Sequence, residues 1–228
     1  MAKFYLVGGA VRDELLGIKA KDLDFAVEAE SFDAMKQAVL ARGGKIFLET
    51  PEFFTIRANV PKLGVADYVL CRKDRGSADG RHPDSVEVGT LLDDLSRRDF
   101  TINAMARGEN GVLIDPFAGT QDLATKTLRT VGVAEERFNE DYLRILRAVR
   151  FAVTKKMRLH DDIMECFEDI TLIMNINKVS VERVREELYK AFAFDTYATM
   201  TMFRDFPYLN YVFEAFPGFW LKPTLEKA

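Results

Sequence analysis

The 228 residues include only two cysteines, Cys71 and Cys166. No disulfide framework can be built from them, and no metal-binding spacing links them, so both read as reduced cytosolic thiols. Long apolar runs are also missing. None approaches the roughly 20 residues that cross a bilayer. The stretch at residues 4–7, behind Met1-Ala2-Lys3, is too short for the core of a signal peptide. A cytoplasmic location and no membrane partner are therefore expected. There is no basic excess, since the formal net charge is −4. A nucleic acid, if bound, must be held by a local basic patch and not by bulk charge. Internal repeats, low-complexity segments and Ser/Gly-rich linkers are absent as well. What is present is ordinary for a folded protein: 48% apolar and 30% charged residues, enough for one large domain or two small ones.

Strand and helix signals alternate through the first half. Residues 4–7 read as a buried strand closed by Gly8-Gly9, and residues 10–16 as a short helix ended by Gly17. Residues 22–27 alternate as a strand. Ser31 caps a helix to about residue 41, and Gly43-Gly44 stops it. Residues 45–48, 53–60 and 66–71 read as strands, and 72–83 as a polar, flexible loop. Strand character returns at 86–88, helix is expected over 91–105, and a short strand and turn over 112–117. From Phe138 helical periodicity dominates. The expected fold is α+β: a mixed sheet with flanking helices over residues 1–137, then an all-α domain over 138–228. The aromatic-rich end, 206–220, reads as a packing surface.

Two features carry chemistry. Asp22 and Asp24 lie two apart on a strand, so both carboxylates leave one face, about 7 Å apart along it. Leu23, Phe25 and Val27 take the other face. Two such carboxylates repel unless a cation sits between them. Mg2+ suits, because it takes oxygen ligands and shares them with substrate phosphates. Asp67 opens another strand; beside the first, it would complete three carboxylates able to hold two metals. Alone, an Asp-x-Asp pair is usually an exposed strand face. The second feature is Gly8-Gly9-Ala10-Val11-Arg12-Asp13 between a strand and a helix. Glycines let the backbone approach a phosphate, helix N–H groups favour an anion, and Arg12 adds charge-assisted hydrogen bonds. A phosphate site beside a metal site is what phosphoryl transfer needs.

With these residues in view, three stretches resemble the class II tRNA nucleotidyltransferase and bacterial-type poly(A) polymerase family, whose head domain is polymerase β-like. They are residues 6–17 followed by Asp22-Leu23-Asp24, residues 97–106 (RRDFTINAMA), and residues 140–151 (EDYLRILRAVRF). The resemblance implies template-independent addition of CCA to the tRNA 3′ end from CTP and ATP, with release of pyrophosphate. It implies that Asp22 and Asp24 bind Mg2+, with Asp67 as the third acidic position. Gly8, Gly9 and Arg12 would contact the triphosphate. Arg97, Arg98, Asp99 and Asn103 would contact phosphate and ribose, and Asp141, Arg144, Arg147 and Arg150 would form the nucleotide site. At 100° per residue these last four wind along one side of a helix, with Leu143, Leu146, Val149 and Val153 on the other.

Cytosine and adenine both present an amino donor beside a ring-nitrogen acceptor. A carboxylate at Asp141 and a guanidinium at Arg144 satisfy either base, whereas uracil and guanine mismatch both groups. Residues 72–83, including His82, resemble the family's flexible loop, which is associated with the change from C to A addition. Ser180 resembles the N-cap of the family's neck helix. The resemblance covers residues 3 to about 195, and the family usually continues into body and tail domains. The chain is then either a compact version or a piece of a longer one, with a homodimer as one way to replace the tail. Competing readings are poly(A) polymerase, a non-catalytic nucleotide- or RNA-binding module, and transfer onto a protein or small molecule.

Overall fold

A computed structural model describes residues 2–20, 22–75 and 85–216. They fall into two compact units, and the chain passes from one to the other between Thr125 and Lys126.

The first unit is built on a mixed sheet. Its strands are β1 (Lys3–Val7), β2 (Leu23–Glu28), β3 (Lys45–Thr50), β4 (Thr55–Val60), β5 (Gly64–Leu70), β8 (Ala106–Gly108) and β9 (Leu113–Ile114), in the order β3-β4-β5-β2-β1-β8-β9. Only β2 and β5 pair in parallel. Helix α1 (Gly9–Leu15) follows β1 directly. Helix α2 (Phe32–Ala41) begins where the Ser31 hydroxyl accepts the Ala34 N–H at 3.1 Å, the cap expected from the sequence. One sheet face carries Phe4, Val27, Ile56, Tyr68 and Leu70 and packs on Met35 and Val39 of α2. The opposite face carries Val7, Ala26 and Cys71 and packs on Leu91 and Leu95 of α3 (Leu91–Ser96). Helix α4 (Gly119–Thr125) closes the unit. A Cβ on Gly119 would lie 2.3 Å from the Thr101 carbonyl oxygen, so only glycine allows that approach.

Two expectations are corrected here. The helix expected over 91–105 stops at Ser96 and is replaced by a turn and a 3-10 segment, Thr101–Asn103. Side chains take over the backbone there: Ser96 Oγ donates to the Asp93 carbonyl at 2.8 Å, and the Asp99 carboxylate accepts the Phe100 N–H at 2.8 Å. Residues 72–75, expected in a loop, form β6 (Arg72–Arg75), which pairs antiparallel with β7 (Ser85–Val88). A polar strand with no apolar alternation gives no strand signal. The rest of that expected loop, with Asp79, His82 and Pro83, lies outside the described residues.

The second unit is helical: α5 (Ala134–Glu140), α6 (Leu143–Thr154), α7 (Asp161–Phe167), α8 (Ile170–Met174), α9 (Val181–Phe194), α10 (Thr196–Asp205) and α11 (Tyr211–Ala215). Its one β feature among the described residues is a short parallel ribbon, β10 (Thr127–Leu128) with β11 (Arg158–Leu159). Phe138, Leu146, Val149, Phe167, Val184, Leu188 and Phe203 are buried. Phe206 meets Phe167 edge-on at 5.3 Å, which makes the start of the aromatic-rich end part of the core; residues 217–228 lie outside the described residues. Ser180 holds the N-cap position of α9, but its side chain makes no capping hydrogen bond.

Candidate active site

Gly8 sits at φ 68, ψ −130, a conformation that costs any other residue dearly. A Cβ there would lie 2.8 Å from Arg98 Nη1, so the bare glycine gives that guanidinium room. Arg98 Nη1 donates to the Asn103 carbonyl at 3.3 Å. The Asn103 side chain links the rest of the set. Its Oδ1 accepts from Arg12 Nη1 at 2.6 Å, and its Nδ2 donates to Asp99 Oδ1 at 3.0 Å. Arg12, only 7% exposed, also donates through Nε to Asp13 at 2.9 Å. Gly9 begins α1, 3.3 Å from Arg12 Nη2 as measured from a built Cβ. Arg12 and Asp13, Arg98 and Asp99, and Asn103 thus share one hydrogen-bonded network.

Asp24 lies at the start of β2, whereas Asp67, expected to open its strand, lies in the middle of β5, which begins at Gly64. Asp24 and Asp67 are register partners across the parallel β2–β5 pair, as the sequence anticipated if the two strands were adjacent. Asp22 is exposed just before β2. Burial and then the Asp67 charge raise the Asp24 carboxyl above the usual carboxylate range; Arg98 opposes that rise and Asp22 adds to it. Asp67 is itself held by Arg57, whose Nε and Nη2 each reach a carboxylate oxygen at 2.6 Å. Among the described residues no three acidic, His or Cys side chains are gathered as a metal cluster.

In the second unit, Asp141 is not on the helix expected for it. It stands in extended conformation between α5 and α6, because Oδ1 accepts the Leu143 N–H at 3.1 Å and so begins the helix. Its Oδ2 accepts from Arg183 of α9 at 3.1 Å. Arg144 donates from Nη1 to the Arg137 carbonyl at 2.9 Å and to Glu140 at 2.8 Å. Arg150 bonds Glu187 of α9, and Arg147 lies 3.8 Å from the same carboxylate.

Residues 4–129 match the poly A polymerase head domain family. The chain belongs to this family. It is 40% identical over 191 residues to the multifunctional CCA protein of Laribacter hongkongensis, covering 82% of this chain and 44% of that relative. It is equally identical, 40% over 191 residues, to the CCA-adding enzyme of Streptococcus uberis, with 82% and 45% covered. The crystal structure of the Bacillus stearothermophilus CCA-adding enzyme in complex with CTP matches with a TM-score of 0.78 at 32% identity, over 95% of this chain and 50% of that one. The chain therefore spans less than half the length of these curated relatives. The α+β head expected from the sequence stands, as does the resemblance to the tRNA nucleotidyltransferases and poly(A) polymerases. Among the described residues of this head-domain family member, no helix is long and apolar enough to cross a membrane.

The family generally uses a divalent metal. Asp22 and Asp24 offer hard oxygen donors, and Asp24 is a register partner of a third carboxylate, Asp67. That donor set fits Mg2+, with the remaining coordination left to phosphate oxygens and water.

Sequence reasoning missed the groups that hold these side chains: Asp94 beneath Arg97 and Arg98, Arg57 on Asp67, Arg183 on Asp141, and Glu187 beneath Arg147 and Arg150. Only Asp94 left a local signal, through its i+3 and i+4 spacing to two arginines.

Proposed function

We propose that this chain is a template-independent RNA nucleotidyltransferase that adds CCA to tRNA 3′ ends from CTP and ATP, releasing pyrophosphate. The observation that carries this reading is the meeting of two chemistries in the first unit. Arg98, in the network with Gly8, Asn103 and Arg12, is also one of the charges that set the ionisation of Asp24. A triphosphate cradle beside an acid pair is suited to phosphoryl transfer.

Asp22 and Asp24 would hold Mg2+, with Asp67 as the third acidic group. The metal, when bound, screens phosphate charge and favours ionisation of the attacking hydroxyl. Gly8, Gly9, Arg12, Arg97, Arg98, Asp99 and Asn103 bind and orient triphosphate and ribose. We assign catalysis to residues 1–137 and nucleotide selection to the helices of 138–228. There Asp141 accepts from the amino group of C or A, and Arg144 donates to the ring nitrogen. Each Asp141 oxygen has a lone pair beyond the hydrogen bond it already accepts. Arg147 and Arg150 complete the nucleotide site. Such an enzyme works on tRNA in the cytoplasm, and a homodimer would be one source of further tRNA contacts.

The test is incorporation of labelled CTP, ATP, UTP and GTP, with Mg2+, onto tRNA lacking its CCA end. Two C additions and one A, abolished by Asp22→Ala, are expected. The family match also favours a second reading, poly(A) polymerase. Runs of A alone on generic RNA would replace the first reading with that one, and no incorporation on any RNA would remove both.

A further inference from the structure

Asp94 is 1% exposed, yet it is a carboxylate in the first turn of a short helix. Its two oxygens are divided between two arginines. Oδ1 accepts from Arg97 through Nη2 at 2.5 Å and Nε at 3.1 Å. Oδ2 accepts from Arg98 through Nη2 at 2.9 Å and Nε at 3.3 Å. The Arg97 and Arg98 side chains remain 24% and 21% exposed. Buried carboxylates of this kind are expensive unless paired and hydrogen-bonded. Here one carboxylate is shared by two guanidinium groups.

We infer that Asp94 is the positioning residue of the triphosphate site: it touches no substrate, but fixes Arg97 and Arg98 together, with Arg98 Nη1 held where a Gly8 side chain would be. The inference rests on the proposed role of Arg98 at the triphosphate. Arginine carries considerable rotamer freedom, which an anion must otherwise quench on binding. Fixed on Asp94 at one edge and on the Asn103 carbonyl at Nη1, Arg98 has already lost that freedom before the anion arrives. The bare Gly8 is the third element, because any side chain there would meet Nη1.

Charge and geometry predict opposite signs, which makes the inference testable. Asp94→Asn removes a negative charge beside the site, and by charge alone it should tighten an anion. By geometry it should weaken it, because an amide cannot accept at both oxygens. Affinity of the full chain for inorganic tripolyphosphate is measured by calorimetry for wild type, Asp94→Asn, Arg98→Ala and the double variant. The expected result is a loss of about 10-fold or more in Asp94→Asn, with the double variant weakened by less than the product of the two single losses, because only the hold on Arg97 is left to lose once Arg98 is gone. Unchanged or tighter binding in Asp94→Asn, or losses that multiply in the double variant, would overturn the inference while leaving the proposed function standing. Wild-type affinity in Arg98→Ala would overturn the phosphate-site reading and the inference with it. Should Asp94→Asn fail to fold, the wild type answers by NMR of its arginine Nε–H groups. Slowed guanidinium rotation at Arg98 without ligand is expected, and free rotation would count against the inference.

Discussion

At the scale of single residues, two side chains and one missing side chain carry the proposed chemistry. Gly8 combines a left-handed φ with a guanidinium where its Cβ would be. Gly8→Ala should cost about 1–3 kcal/mol of stability and displace Arg98. Thermal melting and CTP incorporation together check this, and an unchanged melting temperature would contradict it. In the proposed function Asp141 accepts where C and A donate. Asp141→Ala should bring UTP and GTP incorporation to within about 10-fold of CTP, since one unpaired polar group is worth roughly 1–3 kcal/mol; selectivity equal to wild type would remove Asp141 from that role. Asp94 also makes a pH prediction. Burial alone would raise its carboxyl, but the charges and hydrogen bonds of Arg98 and Arg97 outweigh burial and hold it below the usual range. A depressed folded value stabilises above the unfolded value of about 3.9, and that stability is lost as pH falls through the folded one. Asp94→Asn should therefore flatten the stability profile below about pH 4, read by urea unfolding across pH 2.5–6.

At the scale of elements, α6 and α9 are joined through Glu187, whose side chain is 6% exposed between Arg147 and Arg150. Glu187→Ala leaves two arginines without that counter-charge and should cost about 3 kcal/mol in urea unfolding. A loss under 1 kcal/mol would mean the arginines find other partners. The same contact shows where sequence reading stops. The apolar stripe of α6, the Ser31 cap and the alternation of β2 are local, and each was legible from residue order alone. So was the Asp24–Asp67 adjacency, once two strands were assumed to be neighbours. Arg57 in the first unit, and Glu187 and Arg183 in the second, reach the candidate residues of their own unit from other elements, and no spacing along the chain announces them. The helix expected over 91–105 failed for a local reason: the periodicity continues past Ser96, but Asp99 and Ser96 offer the backbone competing hydrogen bonds. Polar β6 and the two-residue strands β10 and β11 form by backbone pairing, which side-chain patterns do not report.

At the scale of the whole molecule, charge is divided unevenly. Residues 126–228 carry as many acidic as basic side chains, so the entire net charge of −4 lies in residues 1–125. The part proposed to admit a polyanionic triphosphate is thus the acidic part, where the cluster of Arg12, Arg97 and Arg98 would work against its surroundings. Two consequences follow for substrates. The nucleotide should enter as its Mg2+ complex, which approaches with less negative charge than the free triphosphate. The RNA should be held by few phosphate contacts, because affinity for a polyphosphate chain comes mainly from counterion release at basic side chains. Each phosphate neutralised adds roughly 0.7–0.9 to the slope of log affinity against log salt. For tRNA lacking its CCA end, titrated with this chain by fluorescence anisotropy between 50 and 200 mM KCl, a slope shallower than about −3 is expected. A slope of about −6 or steeper would require an extended basic face. That would move recognition from a few contacts at the 3′ end to a broad grip on the tRNA body, the result expected if two copies act together.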